Sequence, residues 1–271
     1  MQKESERSFL YARILHMNIV YFDIDGTLAK GIEIPASAVK ALHQLRMNGN
    51  LIFICTGRPY AYAYRYFYPY ANGFICFNGR YAHMGCCEVL HDAPVEKEKS
   101  DRILTILKEL DAGYTFFDLD HAWYGGPEEG YADMSHGWPD GYIQKTERLS
   151  EAPVYAMDAW YRDEEHKNRI IDALQDLCLM NPHGKSPTMD ATIQGEDKGS
   201  TLLEVTKKLN VPIENTYAFG DGVNDVTMLR NAGHGIAMGN AAEILKEQAE
   251  FVTDDIDKDG VMKGLKHFHL I

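Results

Sequence analysis

Hydrophobic positions along this chain fall into two alternating regimes. Asn18–Phe22 is a short apolar, β-rich run that ends in Asp23-Ile24-Asp25-Gly26-Thr27. Pro35 then opens a stretch in which Val39, Leu42 and Leu45 recur on one helical face until Asn48-Gly49 stops it. Leu51–Cys55 is continuously apolar, as a strand buried on both faces of a parallel sheet should be. Strand, helix and strand make a βαβ unit, whose crossover is almost always right-handed. From Tyr60 to Tyr70 every even position is tyrosine. A period of two suits a strand, but the place after the second strand of such a unit calls for a helix. A helix is therefore expected, with its aromatics used for packing and surface. Phe74–Phe77 gives a third strand, ending at Asn78-Gly79.

From about Ala82 to Ser186 the character changes. Glu96–Leu110 predicts an amphipathic helix, Gly113–Trp123 a strand, Val154–Tyr161 another strand and Asp163–Leu177 another helix, with Gly- and Pro-containing loops between them. The α/β pattern then resumes. A helix is expected from Gly199 to Leu209, a strand at Thr216–Phe219, and then the loop Gly220–Asp225. After it come a helix, the strand Gly235–Met238, a helix, the strand Phe251–Thr253 and a C-terminal helix. The expected fold is α/β: a doubly wound parallel-sheet (Rossmann-like) core, residues 17–81 and 187–271, carrying an inserted α+β cap domain, residues 82–186. Residues 1–16 read as a polar N-terminal extension.

Composition narrows the function. Of 271 residues, 27 are basic and 40 acidic, giving a formal net charge of −13, which argues against nucleic acid as a partner. An anionic substrate must then be attracted locally, against the overall field, by a metal and a few placed cations. The five cysteines (Cys55, Cys76, Cys86, Cys87, Cys178) are odd in number and form no C-x-x-C pair, so neither a disulfide framework nor a zinc site is expected. No apolar run approaches the roughly 20 residues of a bilayer span, so no membrane partner is expected. The first residues lack a signal-like apolar stretch, and a cytoplasmic location is the expectation.

Four features sit where strands are expected to end: Asp23-x-Asp25, Thr56, Lys198 near a helix start, and Asp221 with Asn224 and Asp225. In an open α/β sheet, ligands bind beyond the carboxyl ends of the strands, so these fragments should converge on one crevice. Together they can do one coherent chemistry. Carboxylates without cysteine or histidine partners make a hard, oxygen-rich site suited to Mg²⁺. One carboxylate can attack phosphorus, a second two residues away can shuttle protons, and hydroxyl, ammonium and amide groups can hold the equatorial oxygens.

The stretches Asp23-Ile24-Asp25-Gly26-Thr27-Leu28, Cys55-Thr56-Gly57-Arg58, Lys198-Gly199 and Gly220–Asp225 resemble, in order, the four motifs of the haloacid dehalogenase superfamily. The large insertion, Phe77-Asn78-Gly79 before it and Gly235–Ala241 after the fourth motif resemble its Cof-type sugar-phosphatase branch. The resemblance implies that Asp23 is the nucleophile and a metal ligand. It implies that Asp25 protonates the leaving alkoxide, then activates water, with its carbonyl on the metal, and that Asp221 is the third protein ligand. Ile24 (through its N–H), Thr56, Gly57, Lys198 and Asn224 are implied to hold the phosphoryl group. Asp225 is implied to act on metal-bound water or on Lys198. The expected function is a Mg²⁺-dependent phosphatase of small phosphomonoesters, sugar phosphates first, working through a phosphoaspartate on Asp23. A phosphohexomutase-like phosphotransferase and a non-catalytic phosphoacceptor or binding protein stand as alternatives. The partner is a small phosphorylated metabolite; oligomeric state is not legible. One departure from the family pattern is the polar approach to Lys198, Asp190–Asp197.

Two lookalikes carry less. Asp118-Leu119-Asp120 repeats the Asp-x-Asp spacing but is followed by His121 rather than Gly-Thr. Asp255-x-Asp257-x-Asp259-Gly260 opens like an EF-hand loop, yet its twelfth position is Lys266, where a bidentate Glu is needed.

Overall fold

The computed structural model of the chain describes residues 17–85, 88–146 and 152–271. The expected extension at residues 1–16 lies outside them. In chain order, β1 (Ile19–Phe22), α1 (Ala36–Met47), β2 (Leu51–Cys55), α2 (Tyr60–Phe67), β3 (Gly73–Cys76), β4 (Tyr81–Met84) and β5 (Glu88–Asp92) come first. A second group follows: α3 (Lys97–Glu109), β6 (Gly113–Phe117), β7 (Ala122–Gly125), α4 (Glu128–Ser135), β8 (Ile143–Lys145), β9 (Ala156–Trp160), α5 (Glu164–Leu174), β10 (Leu179–Pro182) and β11 (Thr188–Thr192). The chain ends with α6 (Lys198–Lys208), β12 (Thr216–Gly220), α7 (Val226–Asn231), β13 (His234–Ala237), α8 (Glu243–Lys246), β14 (Phe251–Val252) and α9 (Gly260–His267).

These elements form two compact units, one of the described residues up to Asp92 with Glu196–Ile271, the other of Ala93–Gly195. The first holds an eight-stranded sheet in the order β14-β13-β12-β1-β2-β3-β4-β5. From β14 to β3 neighbours run parallel, while β4 and β5 turn back antiparallel. Every residue of β1 is buried, which explains its unbroken apolar run. On α1 the buried residues are Ala38, Ala41, Leu42 and Leu45, so the expected leucine stripe faces the core and small alanines fill beside it. The sheet grows from β1 toward β3 in one direction and from β12 toward β14 in the other. The switch point therefore lies between β1 and β12, where ligands bind in such sheets.

Residues 82–84 and 88–92, expected in the insertion, run in β4 and β5 of this first sheet. The tight turn Phe77-Asn78-Gly79 reverses the chain so that β4 pairs with β3. The Ala93–Gly195 unit holds its own six-stranded sheet, β10-β11-β9-β6-β7-β8, antiparallel except for β7 with β8. Its core sets Ile103, Leu104 and Leu107 of α3 and Ile170 and Leu174 of α5 with Tyr114, Phe116, Met157, Ala159 and Met189 of the sheet. Alternate strand residues reach this cluster, the signature of a sheet with a helix layer on one face.

Gly113 to Trp123, expected as one strand, is instead a hairpin of β6 and β7. Asp118 makes the turn: its Oδ1 accepts the N–H groups of Asp120 and His121 at 2.8 and 2.6 Å, and its Oδ2 accepts the Trp123 indole N–H at 2.9 Å. An aspartate that bonds backbone two and three residues on is a standard way to end a strand.

Candidate active site

Asp23 follows β1 directly, and its N–H donates to the Phe219 carbonyl of β12 at 3.0 Å, so the chain stays in register as it leaves the sheet. The next turn explains why Gly-Thr follows Asp-x-Asp. Gly26 has φ +86°, and a β-carbon there would come within 2.3 Å of Asp221 Oδ2. Only glycine fits both the conformation and the space. Thr27 Oγ1 donates to Asp221 Oδ1 at 2.8 Å, tying the first motif to a carboxylate 194 residues later. Asn240 closes the same corner: its Nδ2 donates to the Gly26 carbonyl at 2.9 Å, and its Oδ1 accepts the Ile256 N–H at 2.9 Å.

Lys198 is the first residue of α6. Its polar approach has a structural cause, because Asp197 caps the helix. Asp197 Oδ1 accepts the N–H groups of Gly199 and Ser200 at 2.8 and 2.9 Å, and Ser200 Oγ accepts the Asp197 N–H in return. The Lys198 side chain is fully buried, with Nζ 2.6 Å from both Asp23 Oδ1 and Asp225 Oδ1. Asp225 Oδ2 accepts the N–H groups of Asp221 and Gly222, each at 3.0 Å, so both of its oxygens are engaged.

Burial pushes the Asp23 carboxyl up to about 7; Lys198 opposes this, while Asp225 and Asp221 reinforce it. Burial also raises Asp221, partly offset by the Thr27 hydroxyl. For Lys198 burial disfavours the charge, but Asp225 and Asp23 overcome it and hold the ammonium well above its usual range.

One carboxylate oxygen each from Asp23, Asp221 and Asp225 lies within 4.8 Å of the others. Together with Asp25 these are four carboxylates, facing two cations, Lys198 and Arg58. The excess of two negative charges would repel a phosphate ester. A divalent, oxygen-preferring cation such as Mg²⁺ fits both the charge and the donor type.

The remaining expected residues are placed as follows. Ile24 is fully buried, and its carbonyl accepts the N–H groups of Leu28 and Ala29 at 3.0 and 2.8 Å. Thr56 is buried at the end of β2, and its Oγ1 accepts the Arg58 N–H at 3.1 Å. Gly57 lies against the Asn78 side chain, and the exposed Asn224 donates from Nδ2 to Asn78 Oδ1 at 3.0 Å. The exposed Asp25 carboxylate is gripped by Arg58, which donates to both of its oxygens.

Arg58, Asn78 and Asn240 are site-forming residues without a role in the sequence motifs. All three lie in or beside the motif stretches, but nothing in their spacing announces their partners. The EF-hand lookalike is spent on ion pairs, Asp255 with Lys258 at 2.6 Å and Asp257 with Lys30.

Comparison with known proteins agrees with this geometry. Residues 20–265 match the family model for haloacid dehalogenase-like hydrolases. The chain is 27% identical to the phosphatase YwpJ of Bacillus subtilis, across 93% of its own length and 99% of the relative's. It is 26% identical to the pyridoxal phosphate phosphatase YbhA of Escherichia coli, across 93% and 98%. A solved sugar phosphatase of HAD subclass IIB superposes with a TM-score of 0.78 at 29% identity, covering 94% of this chain and all of that one. The chain belongs to the haloacid dehalogenase-like hydrolases, and it is a phosphatase.

Proposed function

We propose that this phosphatase hydrolyses small phosphomonoesters, sugar phosphates foremost, with Mg²⁺, through a phosphoaspartate on Asp23. The observation that carries the reading is the buried Lys198 ammonium, clamped at 2.6 Å between Asp23 and Asp225 at the switch point of the sheet. An ammonium kept charged in a dry site is a preorganised partner for a phosphoryl group whose oxygens gain charge during transfer.

Asp23, Asp221 and the Asp25 carbonyl would hold the metal, which neutralises phosphoryl oxygens when bound. Asp23 attacks phosphorus in line with the leaving oxygen, forming an Asp23 O–P bond as the ester P–O bond breaks. Asp25 gives a proton to the departing alkoxide, then takes one from the water whose oxygen attacks phosphorus, breaking the Asp23 O–P bond and releasing inorganic phosphate. Lys198, Thr56, Gly57, Asn224 and the Ile24 N–H hold the equatorial oxygens. Asp225 acts through Lys198, since its other oxygen is committed to backbone.

Sugar phosphates rank first because of the solved subclass IIB sugar phosphatase, with pyridoxal phosphate brought in by the relative that bears its name. We assign substrate choice to the α+β insertion, read as the cap. The test is phosphate release from a panel of phosphorylated sugars and pyridoxal phosphate, with Mg²⁺ and with chelator. Inorganic phosphate should appear only with metal. An isomeric sugar phosphate in its place would make the protein a phosphohexomutase.

A further inference from the structure

The turn after β3 is conformationally expensive. Phe77, Asn78 and Gly79 all have positive φ, at 53°, 53° and 107°. Two successive non-glycine residues there are rare, and such strain persists only where the surroundings enforce it.

Here the enforcement comes from two loops and a helix. The Phe77 N–H donates to the Arg58 carbonyl at 3.2 Å and the Asn78 N–H to the Thr56 carbonyl at 3.1 Å, so the turn brackets Gly57. The Gly79 carbonyl accepts the Thr201 hydroxyl of α6 at 2.6 Å. The Asn78 side chain lies over Gly57, where a β-carbon would come 3.0 Å from its Oδ1, and that same Oδ1 accepts Asn224 Nδ2–H at 3.0 Å. On the other side of Asn224, its Oδ1 faces Gly222, where a β-carbon would sit 2.6 Å away.

A carboxamide has a donor end and an acceptor end of nearly equal shape, so its orientation is set by partners. Asn224 is exposed and starts no long element, so its own loop gives it little restraint. An amide flipped the wrong way would aim an oxygen at a phosphoryl oxygen.

We propose that Asn78 is a positioning residue for phosphoryl transfer: it fixes the donor end of the Asn224 amide toward the Thr56–Gly57 loop. This rests on the phosphatase reading above and deepens it. Asparagine suits the place because it tolerates left-handed φ and carries a short acceptor. The strained turn then has a purpose, since a relaxed backbone would carry the acceptor elsewhere.

The test uses Asn78→Gly, which keeps the backbone conformation and its N–H bonds while deleting the acceptor. It is combined with Asn224→Ala and with the double variant, on p-nitrophenyl phosphate and a sugar phosphate with Mg²⁺. We expect Asn78→Gly to lower kcat about tenfold or more with KM within about twofold, the mark of a contact made in the transition state. In the Asn224→Ala background the same change should have no further effect, because Asn78 then has nothing to orient. Asn78→Asp retains the acceptor but adds negative charge, so it should raise KM and spare kcat relative to Asn78→Gly. Melting temperatures check that each variant is folded. Wild-type kcat in Asn78→Gly, or losses that multiply in the double variant, would overturn the proposal while leaving the phosphatase intact. A wild-type protein inactive on every ester would overturn both.

Discussion

Arg58 grips Asp25 with two parallel hydrogen bonds, Nε to Oδ2 at 2.9 Å and Nη2 to Oδ1 at 3.0 Å. The pair joins the first and second motifs, 33 residues apart, and its geometry is the fork-to-carboxylate match that makes arginine more than a point charge. The guanidinium also lies 5.2 Å from the centre of the Tyr62 ring on α2, which fixes it from behind.

Asp25 can carry a proton only on an oxygen that Arg58 has released, so the grip sets where the carboxylate waits between proton transfers, and Arg58→Ala should misplace it rather than remove it. The loss should be about tenfold or more with an alkyl phosphate, whose leaving group needs a proton, and much smaller with p-nitrophenyl phosphate. Arg58→Lys should recover little, because an ammonium cannot hold both oxygens in one plane. Equal losses with both substrates would mean that Arg58 serves binding alone.

The two aspartates of the first motif should separate in a labelling experiment. Asp23→Asn should abolish turnover and any transfer of substrate phosphate to protein. Asp25→Asn should cripple turnover, yet still form a slow phosphoenzyme from a good leaving group. The nucleophile is misassigned if both variants label equally.

What the sequence reveals here, and what it hides, follows from how each feature is encoded. Runs such as Ile19–Phe22 and Leu51–Cys55 are legible because both faces are buried and every position must be apolar. The tyrosine-rich stretch folds as helix α2 despite its period of two, because position in a βαβ unit outweighs local alternation. Strands β10 and β11 escape notice because about half their residues are polar, Asn181, Asp190 and Thr192 among them, and bond to one another instead of to a core. The candidate site residues are legible as four motifs because each motif is one short, continuous stretch of sequence. Asn78, Asn240 and the Arg58–Asp25 pair are not, since their meaning lies in approach across the fold.

Lys198→Ala should damage stability as well as catalysis. The change leaves Asp23 and Asp225 facing each other without a cation in a site where Lys198 and Asp225 are fully buried. Breaking such a pair from one side costs about 3–5 kcal/mol, so the melting temperature without metal should fall clearly. Activity should fall for every substrate together, and vanadate, which mimics the five-coordinate state, should lose more affinity than substrate does. A variant that merely changed its preferred sugar would contradict the assignment. Lys198→Met, which fills the volume, should recover part of the stability and none of the activity.

Metal binding should depend on pH in a direction that the site's burial sets. The Asp23 carboxyl is pushed up to about 7 without metal, chiefly because burial penalises its charge. A carboxyl raised above its unfolded value binds protons more tightly when folded. Its contribution to stability is then present at low pH and lost as pH rises through about 7. A divalent cation reverses this, because it needs the ionised carboxylate and so displaces the proton. Below about pH 7 the apparent Mg²⁺ affinity should fall by up to about tenfold per pH unit for the one proton released. Asp221, also raised by burial, pushes the same way. The measurement is the rise in melting temperature on adding a fixed Mg²⁺ concentration, from about pH 5.5 to about pH 8.5, where ligand-linked stabilisation reports affinity directly. The rise should be small at the acid end, grow through neutrality and level off above it. In Asp23→Asn the pH dependence should flatten, because the group that exchanges proton for metal is gone. A rise of the same size at every pH in the wild type would show that Asp23 is ionised throughout, and that Lys198 rather than burial governs its charge.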